Sequence, residues 1–169
     1  MPGGGLLGLD LDSLTVDDFK EMRTNYAVAI CLSIMTFYVY QNDWQLECDD
    51  EKIKETITGL VKEFWIDLVR IMSTAFWSGY APAVKVFGKN KEGWTTIDKF
   101  RDLDPTNCSV FVGTSPEEIV ENKFKGIRQP GSRFNEPEDV IPPEYCFWYP
   151  YMMEFGDWSG TKLLKAAYP

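Results

Sequence analysis

The sequence predicts an α+β fold in which long amphipathic helices pack on clustered short, mostly antiparallel strands. Helical periodicity is concentrated in the first half of the chain. Short runs of β-branched and aromatic residues dominate the second half, and there is no regular βαβ repeat. A hydrophobic content of 44% excludes a disordered chain, because it supplies enough apolar surface for one core within 169 residues.

The N-terminal region predicts an arm, a helix and a β-like segment. Residues 1–14 are glycine-rich and lack periodicity, which is typical of a flexible arm, and residues 15–169 then form the folded region. Thr15 is the predicted N-cap of a helix that runs to about Met35, since two aspartates place negative charge in its first turn. The aromatic and branched residues of 36–48 indicate a strand or hairpin.

The clearest element is a long amphipathic helix from about Asp50 to Ala75. Apolar residues recur in it at steps of three and four, and charged residues fall largely between them. The apolar stripe consists of Ile53, Ile57, Leu60, Val61, Phe64, Leu68 and Met72. Packing on a core explains such a stripe better than a cofactor site does.

The second half of the chain predicts short strands separated by turns. The runs AVKVF and WTTI are joined by a loop containing Gly88 and Gly93, which predicts a hairpin. CSVFVG, KFKGIRQ and YCFWYPYMMEF predict further strands, with a helix start at Ser115 and an exposed loop over residues 130–143 between them. The last predicted element is a helix that begins near Ser159.

Net charge and residue types exclude several functions. The formal charge of −9 argues against a nonspecific DNA wrapper, and the lack of histidine excludes Ser-His-Asp and Cys-His centres. The four cysteines form no C-x-x-C pair, so we expect no structural zinc. We expect no signal peptide at Met1, and we expect the thiols to be reduced in a cytoplasm.

One apolar stretch raises the question of a membrane span. Residues 26–40 are apolar apart from Ser33 and Thr36, but they fall short of the roughly 20 residues that a bilayer core requires. We therefore expect a buried helix that runs into a strand, and no membrane association.

Two acidic clusters are candidates for metal binding or acid–base catalysis. Asp49, Asp50 and Glu51 adjoin one another, and Asp102 and Asp104 flank a leucine. The first cluster lies where a helix N-terminus favours negative charge, and the second precedes a proline turn. These structural roles are favoured and the chain lacks a nucleotide-binding loop. We therefore expect no enzyme activity, no cofactor and no metal, with a small carboxylate- or metal-dependent enzyme as the less favoured alternative.

Two groups of basic residues are candidates for contact with a polyanion or with an acidic face of a neighbouring subunit. They are Lys85, Lys89 and Lys91 around the predicted hairpin tip, and Lys123, Lys125, Arg128 and Arg133 around a second strand and its loop. Solvated loops are the commoner explanation of such clusters, and the sequence leaves both explanations open.

The C-terminal part of the chain resembles tailed-bacteriophage portal proteins. The segment IPPEYCFWYPYMMEFGDWSGTKLLKAAYP is similar to the part in which an Ile-Pro strand leads to an aromatic run, a Gly-aromatic-x-Gly turn and a helix. Upstream, DWQLE, WSGYAPAVKVF and WTTIDKFRDLDP follow the portal order, so the resemblance covers residues 40–169. Portal proteins are generally much longer, so we expect an N-terminal, wing-like portion that is incomplete at its C-terminus.

The resemblance implies a structural subunit of a ring, usually a dodecamer, at one vertex of the capsid. Such a ring passes double-stranded DNA without sequence specificity during packaging and ejection. Its implied partners are the terminase, the major capsid protein and the head–tail adaptor, and its implied location is the virion after assembly in the host cytoplasm. On this interpretation Trp158, Leu163 and Leu164 are candidates for packing on missing segments or on neighbouring subunits.

Two other functions stay open from the residues alone. A small metal-dependent enzyme would use one of the two acidic clusters, and saturable Mg²⁺ binding would favour it. A standalone protein-binding adaptor would recognise a partner through its exposed loops, and a stable monomer would favour it.

Overall fold

The computed structural model describes residues 14–129, 140–154 and 156–167 of the chain. It combines helices with small antiparallel sheets, which confirms the predicted α+β class. The arm predicted over residues 1–14 lies outside the described residues except for Leu14. That side chain packs against a buried cluster of the folded region.

The first helix, α1 (Val16–Met22), begins where the sequence predicts it. The Thr15 hydroxyl accepts a hydrogen bond from the Asp18 N–H at 3.4 Å, and the Asp18 carboxylate accepts one from the Thr15 N–H at 2.6 Å. This reciprocal capping box satisfies N–H groups that have no partner within the helix. The Thr15 N-cap is therefore confirmed.

The second helix, α2 (Tyr26–Gln41), corrects two predictions. A single helix to Met35 is wrong, because the Asn25 side chain starts a new helix by accepting a hydrogen bond from the Ala27 N–H at 3.0 Å. The β-like segment over residues 36–48 is also wrong, because α2 continues through Gln41 and residues 42–50 form neither helix nor strand. Packing of α2 on the next helix overrides the local β propensity.

The long helix α3 (Glu51–Ser73) matches its prediction closely. Asp50 caps it by accepting a hydrogen bond from the Ile53 N–H at 3.0 Å. A short helix, α4 (Ala75–Ser78), follows, and Gly79 ends it with a φ of 89°. Within the described part of the chain, no helix is long and apolar enough to cross a bilayer.

Among the described residues, six strands form two antiparallel sheets. In chain order they are β1 (Tyr80–Lys89), β2 (Thr95–Asp102), β3 (Ser109–Phe111), β4 (Gly126–Arg128), β5 (Val140–Ile141) and β6 (Cys146–Pro150). The first sheet has the order β2-β1-β6, and its β1–β2 pair is the predicted hairpin. The second sheet has the order β3-β4-β5. Helix α5 (Pro116–Glu121), capped by Ser115 as predicted, connects β3 to β4.

Two predictions near the C-terminus change. The predicted loop over residues 130–143 falls mostly outside the described residues, and its last part forms β5 and the start of a 3₁₀ turn. The helix predicted from about Ser159 is instead a 3₁₀ helix at Leu163–Ala167. The Lys165 N–H donates to the Lys162 carbonyl at 3.1 Å, which is the three-residue spacing of this tighter helix.

The first sheet separates two cores because successive side chains of a strand point to opposite faces. Ala83 on β1 pairs with Phe147 on β6, and both pack with Ile71 of α3 on one face. The next pair, Val84 and Cys146, lies on the opposite side, where Cys146 packs with residues of the second sheet. A third cluster contains Phe19 of α1, Trp77 of α4 and Leu164.

Candidate functional site

The C-terminal segment crosses the end of α4 at two glycines. A Cβ on Gly160 would lie 2.2 Å from the Gly79 carbonyl oxygen, and a Cβ on Gly79 would lie 2.4 Å from the Ser159 carbonyl oxygen. The Tyr151 N–H donates to the Gly79 carbonyl at 2.8 Å, and the Thr161 N–H donates to the Tyr151 carbonyl at 2.7 Å. The aromatic run, the glycine turn and the start of β1 are thus joined backbone to backbone.

Trp158 is anchored within the chain. Its indole N–H donates to the Asn122 carbonyl at 3.1 Å, while its own carbonyl accepts from the Trp148 indole at 2.9 Å. Its ring lies 5.5 Å from the ring of Phe124. Asn122 adopts a left-handed conformation with a φ of 50°, and its amide donates to the Gly156 carbonyl at 2.7 Å. The half-buried Trp158 therefore joins the C-terminal turn to the α5–β4 connection.

Leu164 is buried to 5% exposure, packed with Phe19 and Trp77. Two cations cover the same cluster, with Lys162 lying 5.3 Å from the Phe19 ring centre and the Arg23 guanidinium 4.8 Å from the Trp77 ring centre. Burial lowers the pKa of Lys162. Leu164 thus contributes to the chain's own core.

Leu163 is only half-buried. The burial and contacts given above for Leu163, Trp158 and Leu164 all lie within one chain. They do not test whether these residues also pack against a neighbouring subunit. The prediction of intersubunit contact at these three residues stays a prediction.

The first basic group lies on the β1–β2 hairpin. Lys85 is half-buried opposite Phe100, whereas Lys89 and Lys91 are exposed at the tip. The side chain of Trp94, at the same tip, is 70% exposed. The tip therefore presents two cations and an aromatic ring to solvent.

The second basic group lies on the α5–β4 part of the second sheet. Lys125 forms an ion pair with Glu118, and this hydrogen bond, together with those from the Ser115 and Thr114 N–H groups, lowers the pKa of Glu118 to about 2. The Arg128 guanidinium lies 4.8 Å from the ring centre of Phe111. Lys123 is exposed, and Arg133 falls outside the described residues. The structure thus places the two basic groups on different sheets.

The acidic clusters have structural partners. Asp50 caps α3, and Asp102 accepts hydrogen bonds from Arg70. Burial raises the pKa of Asp104, but hydrogen bonds from Lys20 at 2.6 Å and from Thr106 outweigh it and lower that pKa overall.

No group of three or more candidate metal ligands occurs in the described ranges, where Asp49 and Glu51 are both exposed. The four cysteines are free thiols, and burial raises the pKa of Cys108 to about 12.

Two features of the structure were not predicted from the sequence. The Gly79–Gly160 crossing joins residues far apart in the chain, so no local pattern signals it. The exposed apolar side of α2 did have a signal, since residues 26–41 carry no charge. The prediction of a buried helix over these residues is wrong, because many of its large apolar side chains are exposed.

The comparisons with known proteins concern almost the whole folded region. No curated protein matches the chain at a significant level. The family described as the portal protein of Mu bacteriophage matches residues 16–169, from the first residue of α1 onward. The chain therefore belongs to the phage portal protein family represented by the portal protein of Mu bacteriophage.

Proposed function

We propose that this chain is the wing-like part of a portal-ring subunit that forms the passage for DNA at a capsid vertex. Portal proteins are structural virion components that form a capsid-associated oligomeric ring. The observation that carries the proposal is the family match over residues 16–169, which includes every described element. The ring would be a homo-oligomer, a dodecamer by analogy with portal rings, assembled in the host cytoplasm.

The proposed partners are the terminase, the major capsid protein, the head–tail adaptor and double-stranded DNA. The exposed cations of the hairpin tip, Lys89 and Lys91, support contact with a polyanion or with an acidic face of a neighbouring subunit. A chain with a formal charge of −9 would hold DNA only weakly elsewhere, which suits passage without tight binding.

Electron microscopy of the full-length protein tests ring formation. Closed particles with a single rotational symmetry are expected under assembly conditions, and particles that stay monomeric there would overturn the proposal. Double reversal at the hairpin tip, Lys89→Glu with Lys91→Glu, tests the contact itself against the control Lys62→Glu on α3. Intact rings with reduced DNA packaging indicate DNA contact, reduced ring formation indicates subunit contact, and no effect on either contradicts both.

A protein-binding adaptor is the second candidate, favoured by the exposure of Trp94 on the same hairpin tip as Lys89 and Lys91. Exposed tryptophan is enriched at the energetic centres of protein interfaces. The adaptor predicts a monomer whose partner binding is lost in Trp94→Ala. Ring formation by the full-length protein would exclude a standalone adaptor.

A further inference from the structure

Helix α2 is apolar on all sides, and none of its side chains is buried. Six of its large apolar side chains are between 40% and 79% exposed. They form what we call the α2 surface, which consists of Tyr26, Ile30, Ile34, Phe37, Tyr38 and Tyr40. A helix that is hydrophobic all round is normally covered on all sides, so this surface lacks a cover among the described residues.

The geometry of α2 separates an inner from an outer side. Val28 and Leu32 pack against the cluster of Phe19, Trp77 and Leu164. Met35 and Val39 line a cavity of about 390 Å³ that Phe76 and Tyr151 also border. Tyr38 lines the same cavity while staying 64% exposed, so it lies at the boundary between the two sides. The inner side of the helix is therefore already used by the subunit's own fold.

The outer side forms one continuous stripe. Tyr26, Ile30, Ile34 and Phe37 follow one another at steps of four, four and three residues, which places them on a single face of a helix. Ile66 of α3, itself exposed, lines the same pocket as Phe37 and Tyr40 at the end of this stripe. The exposed area of the α2 surface is on the order of 600 Å². This is close to the roughly 800 Å² that each partner buries in a stable protein interface.

The chemistry of the stripe selects its occupant. Two copies of a chain with a charge of −9 repel each other, so an uncharged surface is where they can approach most closely. A lipid surface is disfavoured, because helices that lie on anionic membranes carry lysine or arginine, and α2 has neither. Large exposed apolar patches mark sites of protein–protein contact, and in a ring-forming family an identical subunit is the neighbour that can supply that contact.

We propose that the α2 surface packs against a neighbouring copy of this chain. The inference rests on the proposed ring function and adds the surface that joins the subunits. In a closed ring the contact is heterologous, so the α2 surface of one subunit meets a different surface of the next.

Site-specific photo-cross-linking of the full-length protein identifies the occupant. A photoreactive benzoyl-phenylalanine at position 37 is expected to give covalent dimers and higher multiples of the chain after illumination. The same group at Val120, an 84% exposed position on α5, is the control and should give far fewer. Products that run only at the mass of the single chain would show that no neighbouring copy lies against position 37, and would overturn the proposal.

Charge insertion gives an independent measurement. Ile34→Glu with Phe37→Glu should raise the protein concentration needed for ring formation by about tenfold or more, as loss of an interface centre does. Val120→Glu should leave it unchanged, and circular dichroism checks that both variants keep their helices. Equal ring formation by the α2 variant and the wild type would overturn the α2 contact while leaving the ring function intact.

Two further outcomes separate the hypotheses. Absence of rings in the wild type overturns the proposed function before any variant is compared. Flotation of the wild type, but not of the Ile34→Glu, Phe37→Glu variant, with vesicles of phosphatidylglycerol and phosphatidylcholine would identify a lipid as the occupant and overturn the proposal.

Discussion

Gly79 and Gly160 face each other so closely that neither position has room for a side chain. A Cβ on Gly160 would lie 2.2 Å from the Gly79 carbonyl oxygen, and the φ angles are 89° at Gly79 and 58° at Gly160. Each position therefore requires glycine for two reasons, the left-handed backbone and the close approach of the two chain segments. This crossing joins the C-terminal turn to the start of β1.

Gly160→Ala should destabilise the subunit by about 2–4 kcal/mol, because it combines backbone strain with a steric clash. The measurement is the free energy of unfolding in urea. Gly93→Ala is the matched control, since Gly93 has a φ of 84° but open space around its Cβ position. Its cost should be only about 1 kcal/mol, and equal losses in the two variants would contradict a role for the crossing.

Leu164→Asp should prevent stable folding, because it places a carboxylate in the apolar cluster of Phe19 and Trp77. Leu164→Ala should cost about 2–5 kcal/mol in unfolding free energy, so it remains measurable if the aspartate variant does not fold. The matched controls at the neighbouring half-buried position are Leu163→Asp and Leu163→Ala, and each should cost less than the same change at Leu164. A smaller loss for Leu164→Ala than for Leu163→Ala would be inconsistent with the packing described.

Tyr80→Phe should lower the free energy of unfolding by about 1–2 kcal/mol, because it removes hydrogen bonds at the junction between the sheets. The Tyr80 hydroxyl donates to the carbonyls of Pro105 at 2.8 Å and Cys108 at 3.2 Å, and burial raises the pKa of Tyr80 to about 12. Phenylalanine keeps the stacking on Trp148 at 4.6 Å, so the change isolates the hydroxyl.

Urea unfolding of Tyr80→Phe beside Tyr26→Phe makes this comparison. Tyr26 is highly exposed, and its loss of a hydroxyl should have almost no effect. Identical stabilities of the two variants would argue against the hydrogen bonds of Tyr80.

The Glu118–Lys125 pair predicts a pH dependence of stability. The pKa of Glu118 falls from 4.5 to about 2 in the folded state, so the unfolded chain binds more protons between these values. The stabilisation is therefore complete above about pH 4.5 and is lost as the pH falls toward about 2. Salt should weaken the effect, because the pair is partly exposed to solvent.

Glu118→Gln should lack this loss of stability on acidification while keeping acceptor capacity for the cap at Ser115. The measurement is the difference in unfolding free energy between wild type and variant across that pH range. Lys125→Met should remove much of the same difference. Parallel pH curves for wild type and Glu118→Gln would refute the assignment.

Local signals made several elements predictable. Thr15, Asp50 and Ser115 are short polar side chains placed before helical patterns, and each one caps the helix that was expected there. The hairpin of β1 and β2 was also predictable, because alternating apolar runs flank a glycine-containing loop. These elements depend on neighbours within a few residues.

The errors occur where distant residues decide. Residues 36–41 have β propensity, yet they continue α2 because the inner side of this helix packs on α3 and on Trp77 of α4. The C-terminal segment has a helical pattern, yet it forms a 3₁₀ helix where Leu164 meets Phe19 and Trp77. Among the candidate contact residues, Lys125 proved to be paired with Glu118, a partner that spacing alone did not indicate.

By itself the sequence determined the α+β class, the capped helix starts and the order of motifs that links the chain to portal proteins. The tertiary structure alone decided the crossing of Gly79 with Gly160, the burial of Leu164 and the exposure of the outer side of α2. The physical reason is the separation along the chain over which each interaction acts. Caps and periodicity act through bonds between near neighbours, whereas burial depends on which distant surfaces the folded chain brings together.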